Sequence, residues 1–266
     1  MSQDLRDTWD AFAESFERHF ERATLQVLRT LVEHGRLGQA RDVLELGGGA
    51  GGGGLEILAR LPAEARFTCT DLSPQMVLRA RRRLPQRVEV LEADAQALPF
   101  SDGAFDRVVA NLNLMIVPDT DRALAETARV LRPGGLYLFS VWGEPERSHQ
   151  VRVVPELLVE LGLPHEVPAR SNFHLSAEGP LRARVRAAGF DRVLCAHQQI
   201  GVGVLSGEEY AELMLGAHPR VLALLASIRP EQREQLRAAV VQRAEQLLDQ
   251  GHMLGLDVLW GLARRG

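Results

Sequence analysis

The chain has 266 residues, 45% hydrophobic and 25% charged, and its 31 basic side chains, all arginine, nearly balance 35 acidic ones for a net charge of -4. This composition is typical of a globular protein; the lack of lysine excludes Schiff-base chemistry, and the mild acidity argues against nucleic acid as a partner. No apolar run is long enough for a membrane span and the N-terminus has no signal pattern, so we expect a cytoplasmic protein.

The predicted elements begin with helices over residues 4–32, where Trp9, Phe12 and Phe16 recur at helical spacing. From residue 41 onward, short apolar runs alternate with helical patterns, as in a parallel sheet that has helices on its faces. Strands are predicted at 42–46, 66–71, 88–93, 105–110 and 136–141, and helices at 74–84 and 119–130.

The pattern changes after residue 142. Residues 143–178 are rich in Pro and Glu, which predicts an irregular insertion with a short helix at 153–161. The remaining predicted elements are a helix at 181–188, a strand at 190–200, helices at 206–215, 220–227 and 231–248, and a final strand at 255–263. The whole chain therefore reads as one α/β domain with added helices.

Seven glycines occupy the eight positions 47–54, directly after the first predicted strand. Glycine permits a tight strand-to-helix turn and lets a ligand lie against bare backbone, whereas each glycine weakens a helix by roughly 1 kcal/mol relative to alanine. We interpret the segment as a ligand-binding loop. It also matches the dinucleotide pattern Gly-x-Gly-x-x-Gly, so the glycines alone leave a dinucleotide open.

Carboxylates lie at or next to the ends of three successive predicted strands, and they indicate which class of ligand the loop binds. Glu45 lies just before the glycines, where a negative charge repels a pyrophosphate but suits a cation. Asp71 ends the second strand and can accept both hydroxyls of a ribose, and Asp94 follows the third and can accept from an adenine amine. The three acids together predict a positively charged adenosine.

Four segments resemble the class I S-adenosylmethionine-dependent methyltransferases, in particular the small-molecule group that includes the ubiquinone and menaquinone methyltransferases. The similar segments are 45–51 as the first motif, 71–76 as the ribose-binding segment, 94–100 with 105–109 as the adenine-contacting turn and the fourth strand, and 130–135 as the turn before the fifth strand. Their order along residues 41–141 makes the resemblance specific.

The resemblance implies a Rossmann-like, seven-stranded, mostly parallel sheet with its last strand antiparallel and helices on both faces. The order of the predicted elements adds a helical lid and divides the chain into an N-terminal helical lid at 1–40, a cofactor-binding core at 41–142, an insertion over the active site at 143–178, and the rest of the core at 179–266, with a helical insertion at 205–250. The implied reaction transfers a methyl group by in-line displacement from S-adenosylmethionine, which becomes S-adenosylhomocysteine, to a small, largely apolar acceptor of secondary metabolism. We expect a monomer or homodimer.

The resemblance also assigns cofactor contacts along the ends of the first four strands. They are Glu45, Gly47, Gly48, Gly49, Gly51, Asp71, Leu72, Met76, Asp94, Ala95, Asn111 and Leu112. The substrate pocket is predicted from chain position to include Trp9, Phe12, Phe16, Asn113, Met115 and Trp142. No metal site is expected.

A general base is needed only if the acceptor must lose a proton, and histidine usually supplies it near neutral pH. Many relatives carry a histidine near position 115, and this chain has none there. We favour His174 as the catalytic base, because the insertion after the fifth strand should overhang the methyl group. The other candidates are His19, His149, His197 and His218.

Two other functions stay open. A protein that binds S-adenosylmethionine without donating its methyl group, as a regulator or as a catalyst such as a cyclase, would carry the same motifs. An NAD(P)-dependent oxidoreductase would share the fold, although Glu45, Asp94 and the turn at 132–135 argue against it.

Overall fold

The structure is a computed structural model that describes residues 2–165, 170–201 and 203–266. Residue 1 of the predicted N-terminal lid and residues 166–169 of the predicted insertion lie outside these described residues. Seven strands are described: β1 (Asp42–Leu46), β2 (Arg66–Asp71), β3 (Glu89–Glu92), β4 (Phe105–Ala110), β5 (Leu131–Trp142), β6 (Phe190–Ile200) and β7 (Leu256–Arg265).

All seven strands form one sheet in the order β3-β2-β1-β4-β5-β7-β6. The first five strands are mutually parallel. The last strand, β7, runs antiparallel to both of its neighbours and is paired with β6 from Leu256, opposite Ile200, onward. The predicted seven-stranded, mostly parallel sheet with an antiparallel last strand is therefore confirmed.

Ten α-helices are described around the sheet. They are α1 (Ser2–Ser15), α2 (Glu21–His34), α3 (Gly52–Leu58), α4 (Pro74–Arg83), α5 (Thr120–Val130), α6 (His149–Glu160), α7 (Glu178–Ala187), α8 (Gly207–Gly216), α9 (Pro219–Ser227) and α10 (Pro230–Asp249). A π-helical turn, Phe16–Phe20, separates α1 from α2.

Helices cover both faces of the sheet, as predicted. On one face, Leu28 of α2, Ile57 of α3 and Val77 of α4 share a buried apolar cluster with the strands. On the other face, Leu124 of α5 and Val185 of α7 belong to a second cluster. The parallel strands are buried on both sides by this arrangement, which explains their nearly continuous apolar runs.

Local sequence signals define where two of these helices begin. Ser73 caps α4, since its hydroxyl accepts a hydrogen bond from the Met76 N–H at 3.1 Å and Pro74 provides the first helical residue. Asp119 caps α5 in the same manner and accepts from the Arg122 N–H at 3.0 Å. Both helices thus start within a residue of their predicted positions.

Two elements are longer than their patterns indicate. Strand β5 begins at Leu131 rather than at 136, because Leu131 pairs with Phe105 before a shift in register. Helix α6 begins at His149 rather than at 153, held by a hydrogen bond from the Gln150 N–H to the Gly255 carbonyl at 2.9 Å. Both extensions depend on distant partners that no local pattern reveals.

Helices α6, α8, α9 and α10 form a helical cap with its own apolar core, which includes Val153, Tyr210, Leu236 and Val240. The cap meets the N-terminal helices beside the sheet: the rings of Phe12 and His218 lie 4.7 Å apart. None of the helices described is long and apolar enough to span a membrane.

Candidate active site

The glycine loop follows β1 at the carboxyl edge of the sheet. Gly47, Gly49 and Gly51 have φ angles of +66°, +57° and +89°, in the left-handed region that residues with a Cβ rarely adopt. The Gly48 N–H donates to the Thr70 carbonyl of β2 at 2.9 Å. The loop therefore exposes bare backbone between the ends of β1 and β2.

The glycines at the start of α3 make room for two carboxylates. A Cβ added at Gly52 would overlap the Glu21 carboxylate, and a Cβ at Gly53 would overlap Glu45. Glu21, from α2, accepts a hydrogen bond from the Gly52 N–H at 3.0 Å and pairs with Arg83 at 2.7 Å. Sequence reasoning missed Glu21, because nothing in its neighbourhood marks a contact with a loop thirty residues away.

Glu45 lies against Gly48 and Gly53 and is only 2% exposed. Its Oε2 atom is buried with no N–H or O–H donor beside it among the described residues, and the Cys69 thiol is the neighbour that bonds the carboxyl. Burial, followed by the neighbouring carboxylates of Asp71 and Glu21, raises the pKa of Glu45 to about 8. The carboxyl is therefore mostly protonated at neutral pH, in contrast to the charged group that the sequence suggested.

Asp71 connects the end of β2 to the glycine loop. Its Oδ2 accepts from the Gly49 N–H and its Oδ1 from the Ser73 N–H, both at 2.9 Å. Burial raises the pKa of Asp71 to about 6. A carboxylate has about four lone-pair positions, so Asp71 can accept further hydrogen bonds from a ligand.

The other predicted adenosine contacts lie along the same edge. Asp94 is half-buried and accepts from the Gln96 N–H at 2.9 Å, in the turn that follows β3. Leu72 and Ala95 are also half-buried, whereas Met76 is 1% exposed and packs with Ala13 of α1. The ends of β1, β2 and β3 thus bring the three predicted acids to one edge.

The turn after β4 contains a bend that the sequence does not announce. Leu112 has a φ of +50°. The Asn111 side chain donates to the Thr24 carbonyl at 3.1 Å and accepts from the Ser140 hydroxyl at 2.8 Å, so both of its polar atoms are engaged within the protein. The Asn113 side chain instead lies against Gly47, where an added Cβ would overlap its amide.

Two of the predicted aromatic residues lie beside the glycine loop. A Cβ added at Gly49 would lie 3.2 Å from Phe16 Cε1, and the rings of Trp9 and Phe16 are 6.0 Å apart. The Phe12 ring lies between those of Trp9, at 5.6 Å, and His218, at 4.7 Å. The N-terminal helices therefore cover the loop with an apolar surface.

Trp142 forms a second apolar wall at the carboxyl end of β5. Its ring lies 5.0 Å from that of Phe173, and it packs beside a cluster formed by Val27 of α2, Ile200 and Val258. Met115, also predicted for the substrate pocket, is 3% exposed and belongs to the core cluster on the α5 face of the sheet.

His174 is largely exposed on a short turn, Asn172–Leu175, within the predicted insertion, and its Nδ1 lies 2.8 Å from the Ser171 carbonyl. Burial, followed by the charges of Arg170 and Arg184, lowers its pKa. No group of three or more His, Cys, Asp or Glu that could hold a metal ion is found in the part of the chain that the structure describes.

Comparisons with known proteins agree with this geometry. The model of a methyltransferase-domain family matches residues 43–135. A malonyl-[acyl-carrier protein] O-methyltransferase from Geobacter sulfurreducens is 36% identical over 226 residues, which are 83% of this chain and 74% of that protein. The ubiquinone/menaquinone biosynthesis C-methyltransferase UbiE from Xylella fastidiosa is 32% identical over 187 residues, 63% of this chain and 73% of that protein.

Among solved structures, the [4+2]-cyclase SpnF has a TM-score of 0.57 and 22% identity, covering 90% of this chain and 80% of that one. That likeness shows the fold alone. The chain belongs to the S-adenosylmethionine-dependent methyltransferases. The predicted family and the predicted methyltransferase activity are confirmed, and the oxidoreductase alternative is set aside.

Proposed function

We propose that this chain binds S-adenosylmethionine at the glycine loop and transfers its methyl group to a small, largely apolar acceptor. The observation that carries the proposal is a backbone bend of left-handed glycines with Glu45 and Asp71 on either side of it. When bound, S-adenosylmethionine supplies a methyl group that is electrophilic because it is attached to a sulfonium.

The residues around the loop fit such a cofactor. The bare backbone of Gly47 and Gly49 allows close approach, and the remaining lone pairs of Asp71 suit the ribose hydroxyls. Asp94 is the group that would accept from the adenine amine. The buried Oε2 of Glu45, which has no N–H or O–H donor beside it in the described part of the chain, is a polar atom that a nearby cation would stabilise in its charged form.

The acceptor is proposed to lie between the two apolar walls, one formed by Phe16 on the N-terminal side and the other by Trp142 with Phe173. Aromatic and aliphatic walls favour an apolar, planar molecule over a highly charged one. Because methyl transfer is an in-line displacement, holding the nucleophile in line can supply much of the rate enhancement. His174 remains our candidate for a base where the acceptor must lose a proton.

Calorimetry tests the cofactor assignment. We expect S-adenosylhomocysteine to bind in the micromolar range and NADH not to bind, and we expect Asp71→Ala to abolish binding because it removes the ribose acceptor. Asp102→Ala is the matched control, since that carboxylate is 82% exposed and pairs with Arg129 on the opposite edge of the sheet. Binding of NADH by the wild type, or full affinity in Asp71→Ala, would contradict the proposal.

A labelled-methyl assay separates transfer from binding alone. We expect label from the cofactor to appear in an apolar acceptor when a metabolite library is incubated with the wild-type protein. A protein that binds S-adenosylhomocysteine but leaves every acceptor unlabelled, while converting one of them without methylation, would instead belong to the non-transferring class. One protein that shares the fold, SpnF, is a [4+2]-cyclase.

A further inference from the structure

Leu112 has an unusual backbone conformation for its residue type. Its φ of +50° is one of two positive values among the described residues other than glycine. A side chain with a Cβ is disfavoured there, so the surrounding structure must hold the conformation in place. Leu112 is the second residue after β4, at the edge of the sheet that carries the glycine loop.

Ser140 supplies that hold from the neighbouring strand, β5. Its side chain is fully buried, and its hydroxyl oxygen accepts from the Leu112 N–H at 2.8 Å. The same hydroxyl donates to Asn111 Oδ1 at 2.8 Å, and the Asn111 amide donates to the Thr24 carbonyl of α2. One serine therefore fixes both residues of the bend and links them to the N-terminal helices.

The bend decides where the next side chain points. Leu112 in the ordinary right-handed or extended conformation would redirect the chain, whereas the left-handed one sets the Asn113 amide directly against Gly47. Gly47 has no side chain, and any Cβ there would overlap the amide. The Asn113 amide can therefore lie against the loop only because residue 47 has no Cβ and Leu112 is left-handed.

We propose that Ser140 is a positioning residue of the methyl-transfer site, which holds Leu112 left-handed so that the Asn113 amide is fixed against Gly47 of the glycine loop. The inference rests on the proposed function for the identity of the cofactor. Its geometric part, that Ser140 sets the Leu112 bend, can be measured without any ligand.

A double-mutant cycle tests the role of Ser140 through Leu112. In Ser140→Ala the bend loses its anchor, and we expect affinity for S-adenosylhomocysteine, measured by calorimetry, to fall about tenfold because fewer molecules hold the binding conformation. In the Leu112→Gly background, where glycine adopts positive φ freely, we expect the same serine substitution to change affinity less than about twofold. If Ser140→Ala lowers the affinity for S-adenosylhomocysteine equally in the wild-type and Leu112→Gly backgrounds, the inference is overturned.

Thr127→Val is the matched control for loss of a buried hydroxyl. Thr127 is 1% exposed and donates only to the Ala123 carbonyl within α5, away from the loop. We expect this variant to lose stability comparable to that lost by Ser140→Ala while keeping wild-type affinity. If Ser140→Ala and Thr127→Val both lose affinity in proportion to their loss of stability, Ser140 contributes to the stability of the fold and does not position the site.

Crystal structures of wild type and Ser140→Ala separate this inference from the cofactor proposal. A shift of Leu112 out of the left-handed region, with the Asn113 amide leaving Gly47, supports the positioning role even if the wild type fails to bind S-adenosylhomocysteine. An unchanged Leu112 in the variant refutes it even if the wild type binds tightly.

Discussion

Glu45 is a residue whose protonation differs between the unfolded chain and the folded protein. Its folded pKa of about 8 lies well above the ordinary carboxyl range, chiefly because of burial. Below that ordinary range both states are protonated; as pH rises toward 8, the unfolded chain releases a proton that the folded protein keeps. The free energy of unfolding therefore falls with rising pH across this window.

We expect Glu45→Gln to remove this part of the pH dependence. One pKa unit corresponds to about 1.4 kcal/mol. Between about pH 5 and about pH 8, the free energy of unfolding of the wild type should therefore fall by a few kcal/mol relative to that of the variant. Urea denaturation across that range measures the difference.

Glu56→Gln is the control for Glu45→Gln. The hydrogen bond from Arg29 lowers the pKa of Glu56. The ionised Glu56 carboxylate therefore stabilises the fold at neutral pH, and this stabilisation is lost only as the pH falls below the ordinary carboxyl range. Equal pH slopes for the wild type and Glu45→Gln would contradict a buried protonated acid.

At the residue scale, the sequence predicts which side chains lie at the carboxyl edge of the sheet better than it predicts their contacts. Asp71 follows a strand, and strand ends can be read from periodicity. The separate roles of Asn111 and Asn113 depend on the left-handed Leu112. Leucine carries no signal for that conformation, so no pattern could show which amide turns inward and which faces Gly47.

The start of α3 illustrates a conflict between local preference and packing. Alanine is preferred to glycine inside a helix, yet at Gly53 a Cβ would overlap Glu45 and lie 3.0 Å from Leu28. We expect Gly53→Ala to destabilise the protein by about 1–3 kcal/mol, as overpacking of a core does. Thermal or urea unfolding measures the change.

Gly179→Ala is the matched comparison. Gly179 lies in the first turn of α7, and nothing is within 4 Å of the position its Cβ would take. Here we expect a gain of about 0.4–1 kcal/mol, because alanine restricts the unfolded chain. Stabilisation by both alanines would mean that the glycines of α3 are not required by packing.

At the element scale, strand and helix positions followed from short-range patterns, whereas the partners of each element did not. The sequence predicts that the glycine run forms a binding surface for a ligand. The structure adds that Gly52 and Gly53 accommodate Glu21 and Glu45, one of which comes from a different helix. Contacts between distant segments are set by the assembled sheet and leave no local trace.

The molecule as a whole has more than one apolar core. The helical cap packs on residues such as Leu236, which is fully buried and belongs to a cluster separate from those that line the sheet. We expect Leu236→Ala to lower stability by about 2–5 kcal/mol and to speed hydrogen exchange chiefly in α6, α8 and α10. Affinity for S-adenosylhomocysteine should stay unchanged.

Leu44→Ala is the comparison for the sheet, because Leu44 is equally buried but lies in β1. In that variant, faster exchange should be centred on the strands instead. If Leu236→Ala speeds exchange uniformly through β1, β2 and β4 as well, the cap and the sheet open as one cooperative unit. The two apolar cores would then not be independently stable.

The antiparallel pairing of the last two strands has a consequence for how such a protein can diversify. The backbone leaves the sheet at Ile200 and returns at Leu256, its partner on the same rung of the ladder, so that α8, α9 and α10 together occupy the place of a hairpin turn. A segment whose two ends meet in this way can be replaced by another, because the pairing of β6 with β7 requires only that the two ends of the segment are adjacent. Recombination at this rung would replace α8, α9 and α10 and leave the glycine loop unchanged, because that loop lies between β1 and α3.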